Sequence, residues 1–404
     1  MHSKGFRLRL PVVAIALGVV ALVTVAPATA RGNHHHPNGR AHHYGPKHHH
    51  GSRHHRGPRA AYVSPNGSAS ASGRSCRSAK YDSIQAAIEA APLGGIVVVC
   101  KGTYPGMVTV DRRVTLAGKH GATIDATGDV YGVGVSASYS TVTGLTVTNA
   151  SPLNPDAGQL ADGIVTIGIV NGQPVPADHV RVIGNVVSGN LGSGIDLNST
   201  SHSVALGNKA NGNGVGINVA DDLGVAASHN LIAFNVANGN FGGCGIALAD
   251  HTGAGVTNNV VAHNVANDNG LATATAPDAS AGSGVILASP VPNAVVTGNL
   301  IDENRFSGNG HAGVVVHAHA PGADFSGNVI SRNVIGTNNV RTDENDLQTT
   351  GIYLGSLTPQ TIKVSGNLIH DNYYGIFTSG PVTVTGTHNV FHNVTQETGS
   401  FPTF

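Results

Sequence analysis

Asn185-Val186-Val187-Ser188-Gly189-Asn190-Leu191-Gly192-Ser193-Gly194-Ile195-Asp196-Leu197 contains both elements that recur through the body of the chain. The first is an Asn-x4-Asn pair. The second is a Gly followed by Ile or Val, opening a stretch that alternates apolar and non-apolar residues. Alternation over a few residues between turn formers is the pattern of a short strand, with no room for a helix. The Gly recurs at 163, 194, 216, 245, 284, 313, 351 and 375, each time before Ile or Val. The Asn pair recurs as Asn185/Asn190, Asn208/Asn213, Asn230/Asn235, Asn259/Asn264, Asn299/Asn304, Asn328/Asn333 and Asn367/Asn372. A last copy begins at Asn389, with Asn393 one place early. Self-similarity at about 20–40 residues marks a solenoid. Each repeat is expected to form one coil whose strands stack in parallel on the next. Corner Asn residues are expected to accept left-handed backbone and to bond the backbone or the Asn of the neighbouring coil.

Composition agrees. The chain of 404 residues has 55 Gly, 4% aromatic residues, no Trp and 11% charged residues. A tube that buries small aliphatic residues needs few aromatics. The formal net charge is zero, yet residues 1–60 hold nine of the 22 basic residues and no acid, so residues 61–404 carry thirteen against all 22 acids. An acidic body argues against a nucleic-acid partner, because phosphate contacts need Lys and Arg. One long apolar run excludes a multi-span membrane protein.

That run, Pro11–Val25, follows Lys4, Arg7 and Arg9 and precedes Ala26-Pro27-Ala28-Thr29-Ala30. It reads as a secretory signal over 1–30, with a mature chain from near Arg31 and no stable membrane span after cleavage. Localisation outside the cell or on its wall is expected. Residues 31–72 read as a basic, disordered, His-rich linker. Ten His and six Lys/Arg lie within 31–60, able to bind a divalent transition metal or to tether the chain to an acidic wall polymer. Residues 73–110 are expected to form a cap and first coil, 111–396 the coils, and 397–404 a tail. In an exported chain Cys76 and Cys100 form the natural disulfide, closing a loop worth about 3 kcal/mol, with other pairings open. Cys244 would then be left over.

The Asn-rich copies 185–190 and 367–372 resemble the degenerate coils of the pectate-lyase-like superfamily and of periplasmic copper-enzyme maturation proteins. Tyr81-Asp82-Ser83-Ile84-Gln85-Ala86-Ala87-Ile88, followed by Lys101-Gly102-Thr103-Tyr104, is similar to the opening of such domains. The resemblance implies an all-β, right-handed parallel β-helix solenoid with a short N-terminal capping helix, over about residues 76–395. It leaves activity open, because lyases, hydrolases, epimerases, adhesins and inert scaffolds share the fold.

If Ile or Val after each Gly points inward, the residues two and four after Gly point outward. That row is polar at Asp196, Asn198 and Asn218 and aromatic at Tyr353 and Phe377. Just past the strand, Asp221 should lie over Asp250 and Asp222 over His251. Two carboxylates that close either share a proton or hold a cation such as Ca²⁺, although Asp after a strand is also the ordinary start of an Asx turn. The candidate catalytic residues are therefore Asp221, Asp222, Asp250 and His251. Candidate substrate contacts are Asp196, Asn198, Asn218, Lys209 and Tyr353. The resemblance adds little here. Asp221-Asp222 matches one element of galacturonan hydrolases and Ala161-Asp162-Gly163 partly matches another. Gly310-His311-Ala312 departs at its last residue, and the basic element is missing. Lys209 is the nearest candidate for the basic residue that pectate lyases use. Inserts at 151–162, 265–283 and 334–350, the last including an acidic stretch, should rise from one edge and wall a binding surface. The expected partner is an extracellular polysaccharide, uronic-acid polymers included, that the protein binds or modifies as a lyase, hydrolase or epimerase. The alternatives are a non-catalytic wall scaffold and an accessory factor for an extracytoplasmic metal enzyme.

Overall fold

A computed structural model describes residues 60–152, 161–271, 281–318, 320–341 and 348–401. The signal segment and the His-rich runs lie outside these residues, as do parts of the three inserts. Among the described residues no helix is long and apolar enough to cross a membrane.

The chain winds as a parallel β-helix with three strand faces. One face is a 12-stranded sheet running from Ala60–Val63 and Gly95–Val99 to Val382–Thr385. The second carries the Gly-Ile/Val strands, from Val108–Val110 through Ser193–Asp196, Val215–Ala220 and Ile246–Ala249 to Thr350–Ser356. The third comprises short strands such as Val186–Ser188 and Lys209–Asn211. Second and third faces merge only at the C-terminal end, where Leu368–Ser379 and Val390–Phe401 run unbroken round the corner and pair with each other. One continuous apolar core fills the tube and includes Ile195, Leu197, Ile217, Val219, Ile246 and Leu248, all fully buried.

The stack register is in phase throughout. Val165 pairs with Asp196, Asp196 with Asn218, Asn218 with Ala247, Ala247 with Ile286, Ile286 with Val315, Val315 with Tyr353 and Tyr353 with Phe377. The opening Gly is there for space. A Cβ on Gly194 would stand 2.6 Å from Asn213 Nδ2 and 2.8 Å from the Gly216 carbonyl oxygen.

The Asn pairs belong to three ladders, and the simple two-Asn repeat mixes them. One ladder runs Asn185, Asn208, Asn235, Asn264, Asn304, Asn333, Asn367, Asn389. A second runs Asn190, Asn213, Asn240, Asn269, Asn309, Asn338. A third runs Asn230, Asn259, Asn299, Asn328, with Ser203 before it. Asn230/Asn235 therefore spans different corners from Asn208/Asn213. Asn240, Asn269, Asn309 and Asn338 are members that the two-Asn pattern misses. In the middle of the first ladder the geometry saturates the amides. Asn208 donates its backbone N–H and Nδ2 to Asn235 Oδ1 at 2.8 and 3.0 Å, and Nδ2 also donates to the Val182 carbonyl at 2.9 Å.

The left-handed residue at each corner is the one before the ladder Asn, not the Asn itself. Phe234, His263, Glu303 and Arg332 have φ of 56°, 57°, 53° and 53°, and Gly207 has 64°. Asn393 is such a left-handed residue (φ 53°), and Asn389 takes the ladder place.

Three boundaries shift. Ala60–Val63 is a sheet strand paired with Gly95–Val99, so the linker does not extend to 72. The first coil begins before the helix Ile84–Ala90, which caps the tube with Ser83 at its N-cap. Residues 397–401 belong to the last strand rather than to a tail. Cys76 and Cys100 form a disulfide across the cap, and Cys244 is free and buried. The long first repeat, Gly163 to Asn185, holds an antiparallel hairpin, Ile167–Val170 with Gln173–Pro176.

Candidate functional site

The outward row places Asp196, Asn198 and Asn218 together, but they are buried, not open to solvent. Asp196 accepts from Asn198 Nδ2 at 3.0 Å and from Asn218 Nδ2 at 2.8 Å. Asn198 Nδ2 also reaches Asp222, whose backbone N–H donates back to Asn198 Oδ1 at 3.2 Å. Asp222 Oδ1 lies 2.6 Å from His251 Nδ1. Asp162, from the preceding coil, accepts from the Ser193 N–H at 2.6 Å and completes a group of three carboxyls. Asn218 Oδ1 is buried without a hydrogen-bond partner.

Burial dominates the electrostatics. It pushes Asp162 up to about 7, opposed by the Ser193 N–H and helped by the charge of Asp222. Burial, with the charges of Asp162 and Asp222, holds Asp196 well above the usual carboxylate range. Burial alone would lower His251, but its bond to Asp222 and the nearby carboxylates outweigh that and raise it.

Asp221 and Asp250 do lie together, and they act on the backbone. Asp221 accepts from the N–H groups of His251 (2.6 Å), Thr252 (3.2 Å), Ala254 (2.9 Å) and Gly255 (3.3 Å), and from Thr252 Oγ1. Asp250 accepts from Gly253 and Thr252 in its own turn and from the Val295 N–H at 2.7 Å. The two carboxyls are shifted in opposite directions. Burial raises Asp250 to about 6, with Asp221 adding to the rise. Burial would raise Asp221 too, but bonds from Asp250, Thr252 and the backbone bring it below its ordinary value. A Ca²⁺ ion does not fit this pair, because its oxygens are already committed to N–H and O–H donors. Nor does it fit Asp196, where two amide NH₂ groups point at the carboxyl. Among the described residues no three His, Cys, Asp or Glu side chains converge, as they stand, into a metal-binding group.

Lys209 stands apart. It is exposed on the third face, pairing with Val186, and makes no ion pair with the aspartates. Tyr353 lies on the row of Asp196 but five coils on, about 24 Å away at ~4.8 Å per coil. It stacks on Phe377 with ring centres 6.3 Å apart and meets His311 edge-on at 5.6 Å. Burial takes His311 down to about 4, and its Nδ1 accepts from the Ala312 N–H. Sequence reasoning undervalued Asp162. The available signal was its position directly before a strand Gly, which places it beside the next coil's Ser193.

Residues 295–396 match the family described as right handed beta helix region. A search of curated proteins finds no match. Among solved structures, the Agl-KA catalytic domain superposes with a TM-score of 0.53 at 12% identity, over 78% of this chain and 64% of that one. This chain thus spans about two thirds of that domain's length. The A-module of Azotobacter vinelandii mannuronan C-5 epimerase AlgE4 gives 0.50 at 19% identity, over 80% of this chain and 95% of that one. At such identities the likeness is one of fold: the chain is a right-handed parallel β-helix.

Proposed function

We propose that this protein binds and modifies an extracellular polysaccharide at the outward face around Asp222 and His251. The observation that carries the reading is the His251–Asp222 pair, set against the buried carboxyls Asp162 and Asp196. With Nδ1–H donating its hydrogen bond to the Asp222 carboxylate, the neutral ring has a free Nε2 to take a proton from a sugar carbon or hydroxyl. Burial shifts Asp162 and Asp196 toward their neutral forms, which would leave room for a uronic acid with less negative charge already on the site. The fold shared with a mannuronan epimerase makes uronic-acid polymers the first substrates to try. Tyr353, half-buried farther along the same row, leaves part of its ring open to a sugar of the same chain, while Phe377 beside it is buried.

The test is a screen of mannuronan, polygalacturonan and neutral polymers, with and without Ca²⁺. Product is followed by absorbance of unsaturated sugars, reducing ends and proton NMR for epimerisation. Activity lost in His251→Gln and Asp222→Asn and retained in Lys209→Ala is the expected result. No turnover of any polymer by the wild type, or full activity in both site variants, overturns the catalytic reading. A second reading, a polysaccharide-binding scaffold without turnover, is favoured by the burial of Asp196, Asn198 and Asn218. It predicts retention on a polymer column with no product. Secretion and tethering through residues 31–59 belong to the same proposal, and release from cell walls on deleting that segment tests them.

A further inference from the structure

A second array of titratable groups lies on these coils, at a corner the site does not use. Tyr139, His179, His202 and His229 occupy one slot in four successive coils, with φ of 63°, 56°, 57° and 55°. Their rings stack face to face, with centres 4.5, 5.0 and 5.2 Å apart and planes within 23°, 10° and 6° of parallel. In the following coil the same slot holds Asn258, also left-handed at 54°. The backbone needs only a residue that accepts this conformation, and Asn or Gly does so at least as well as His. Three imidazoles in succession are thus a choice of ring. The ring nitrogens are not consumed by the fold. His202 and His229 are exposed, their rings make no hydrogen bond to the described residues, and His179 Nδ1 is buried with no partner.

Neutral imidazole is the commonest protein ligand for Zn²⁺, Cu²⁺ and Ni²⁺. Two imidazoles on one tetrahedral ion, at about 2.0–2.1 Å from nitrogen to metal, have ring centres about 5 Å apart. The stack already has that spacing. In the parallel arrangement the lone pairs do not converge, so coordination requires the exposed rings of His202 and His229 to turn about their Cβ–Cγ bonds. We propose that the His179–His202–His229 stack binds a divalent transition-metal ion between adjacent coils, with water completing the coordination. Such an ion would clip together the coils that carry Asp162, Asp196 and Asp222.

The full chain also carries His-rich runs before residue 60, so metal uptake alone decides nothing. Thermal stability separates the two. An ion held between coils binds the folded chain selectively and raises Tm, whereas one held equally well before and after unfolding does not. The experiment compares Tm with and without excess ZnCl₂ at pH 7.5, in the wild type and in His179→Asn/His202→Asn/His229→Asn. Asn258 shows that the slot accepts Asn, and the single variant His202→Asn, which breaks both His–His contacts, stands in if the triple variant does not fold. The expected result is a rise of about 3 °C or more in the wild type, absent in the variants although they still take up zinc. No rise in the wild type, or an equal rise in the variants, overturns the proposal.

Discussion

Two buried polar arrays share the same coils and differ in one respect. Inside the tube wall the ladder through Asn208 and Asn235 is saturated: at both residues Oδ1 takes two donors and Nδ2 gives two bonds. On the outward face the Asp162, Asp196 and Asn218 group is not. It has an orphan oxygen at Asn218, and burial lifts the two carboxyls. Saturation holds a fold, while unmet hydrogen-bonding capacity is what a ligand or a proton can use. Asp221 and Asp222 repeat the contrast in neighbouring residues. The first is spent on four backbone N–H groups, and the second faces a histidine.

The strongest way to break the comparison is Asn235→Ala. It orphans the Asn208 N–H and Nδ2 and the Ala205 carbonyl inside the wall, so urea unfolding should show a loss of about 4 kcal/mol or more. Asp221→Ala frees the turn 251–255 and should cost about 2 kcal/mol by the same measurement, less because water reaches part of that turn. A cost near zero would place Asp221 with the chemistry instead of the scaffold.

Asp162→Asn probes the unsaturated side through pH. Its carboxyl titrates at about 7 when folded and near 3.8 when unfolded. Between those values the folded chain holds the extra proton, so the contribution of Asp162 to stability falls as pH rises through the window. Asn does not titrate. The variant should therefore gain on the wild type by about 1 kcal/mol or more between pH 4 and 7, read from urea midpoints at pH 5 and 8. The smallest effect is expected from Asp222→Ala, about 0.5–1 kcal/mol. His251 is raised when folded, so that difference should be fullest below the ordinary histidine value and fade as pH rises through the folded one. Activity, by contrast, should be lost.

The architecture was legible from sequence because it is repetitive. Gly-Ile-Asp-Leu at 194–197 announces both period and register, and each later copy repeats the vote. The ladder assignment was not legible. Asn230/Asn235 and Asn208/Asn213 have identical spacing and different corners, and only coil-to-coil hydrogen bonds tell them apart. The site was half legible: equal offsets put Asp221 over Asp250 and Asp222 beside His251. Which carboxylate is consumed by backbone, and which is buried enough to keep a proton, depends on the turn at Thr252–Gly255 and on Asp162. Spacing says nothing about either.

The three ladders run one way, with the donor in the earlier coil and the acceptor in the later one, while Asn211, Asn238 and Asn267 accept from the coil after them. The ladders therefore make the two ends of any cut through the tube unlike. Cut after a coil, the tube ends on ladder N–H donors that lack their amide; cut before it, the tube ends on bare amide oxygens.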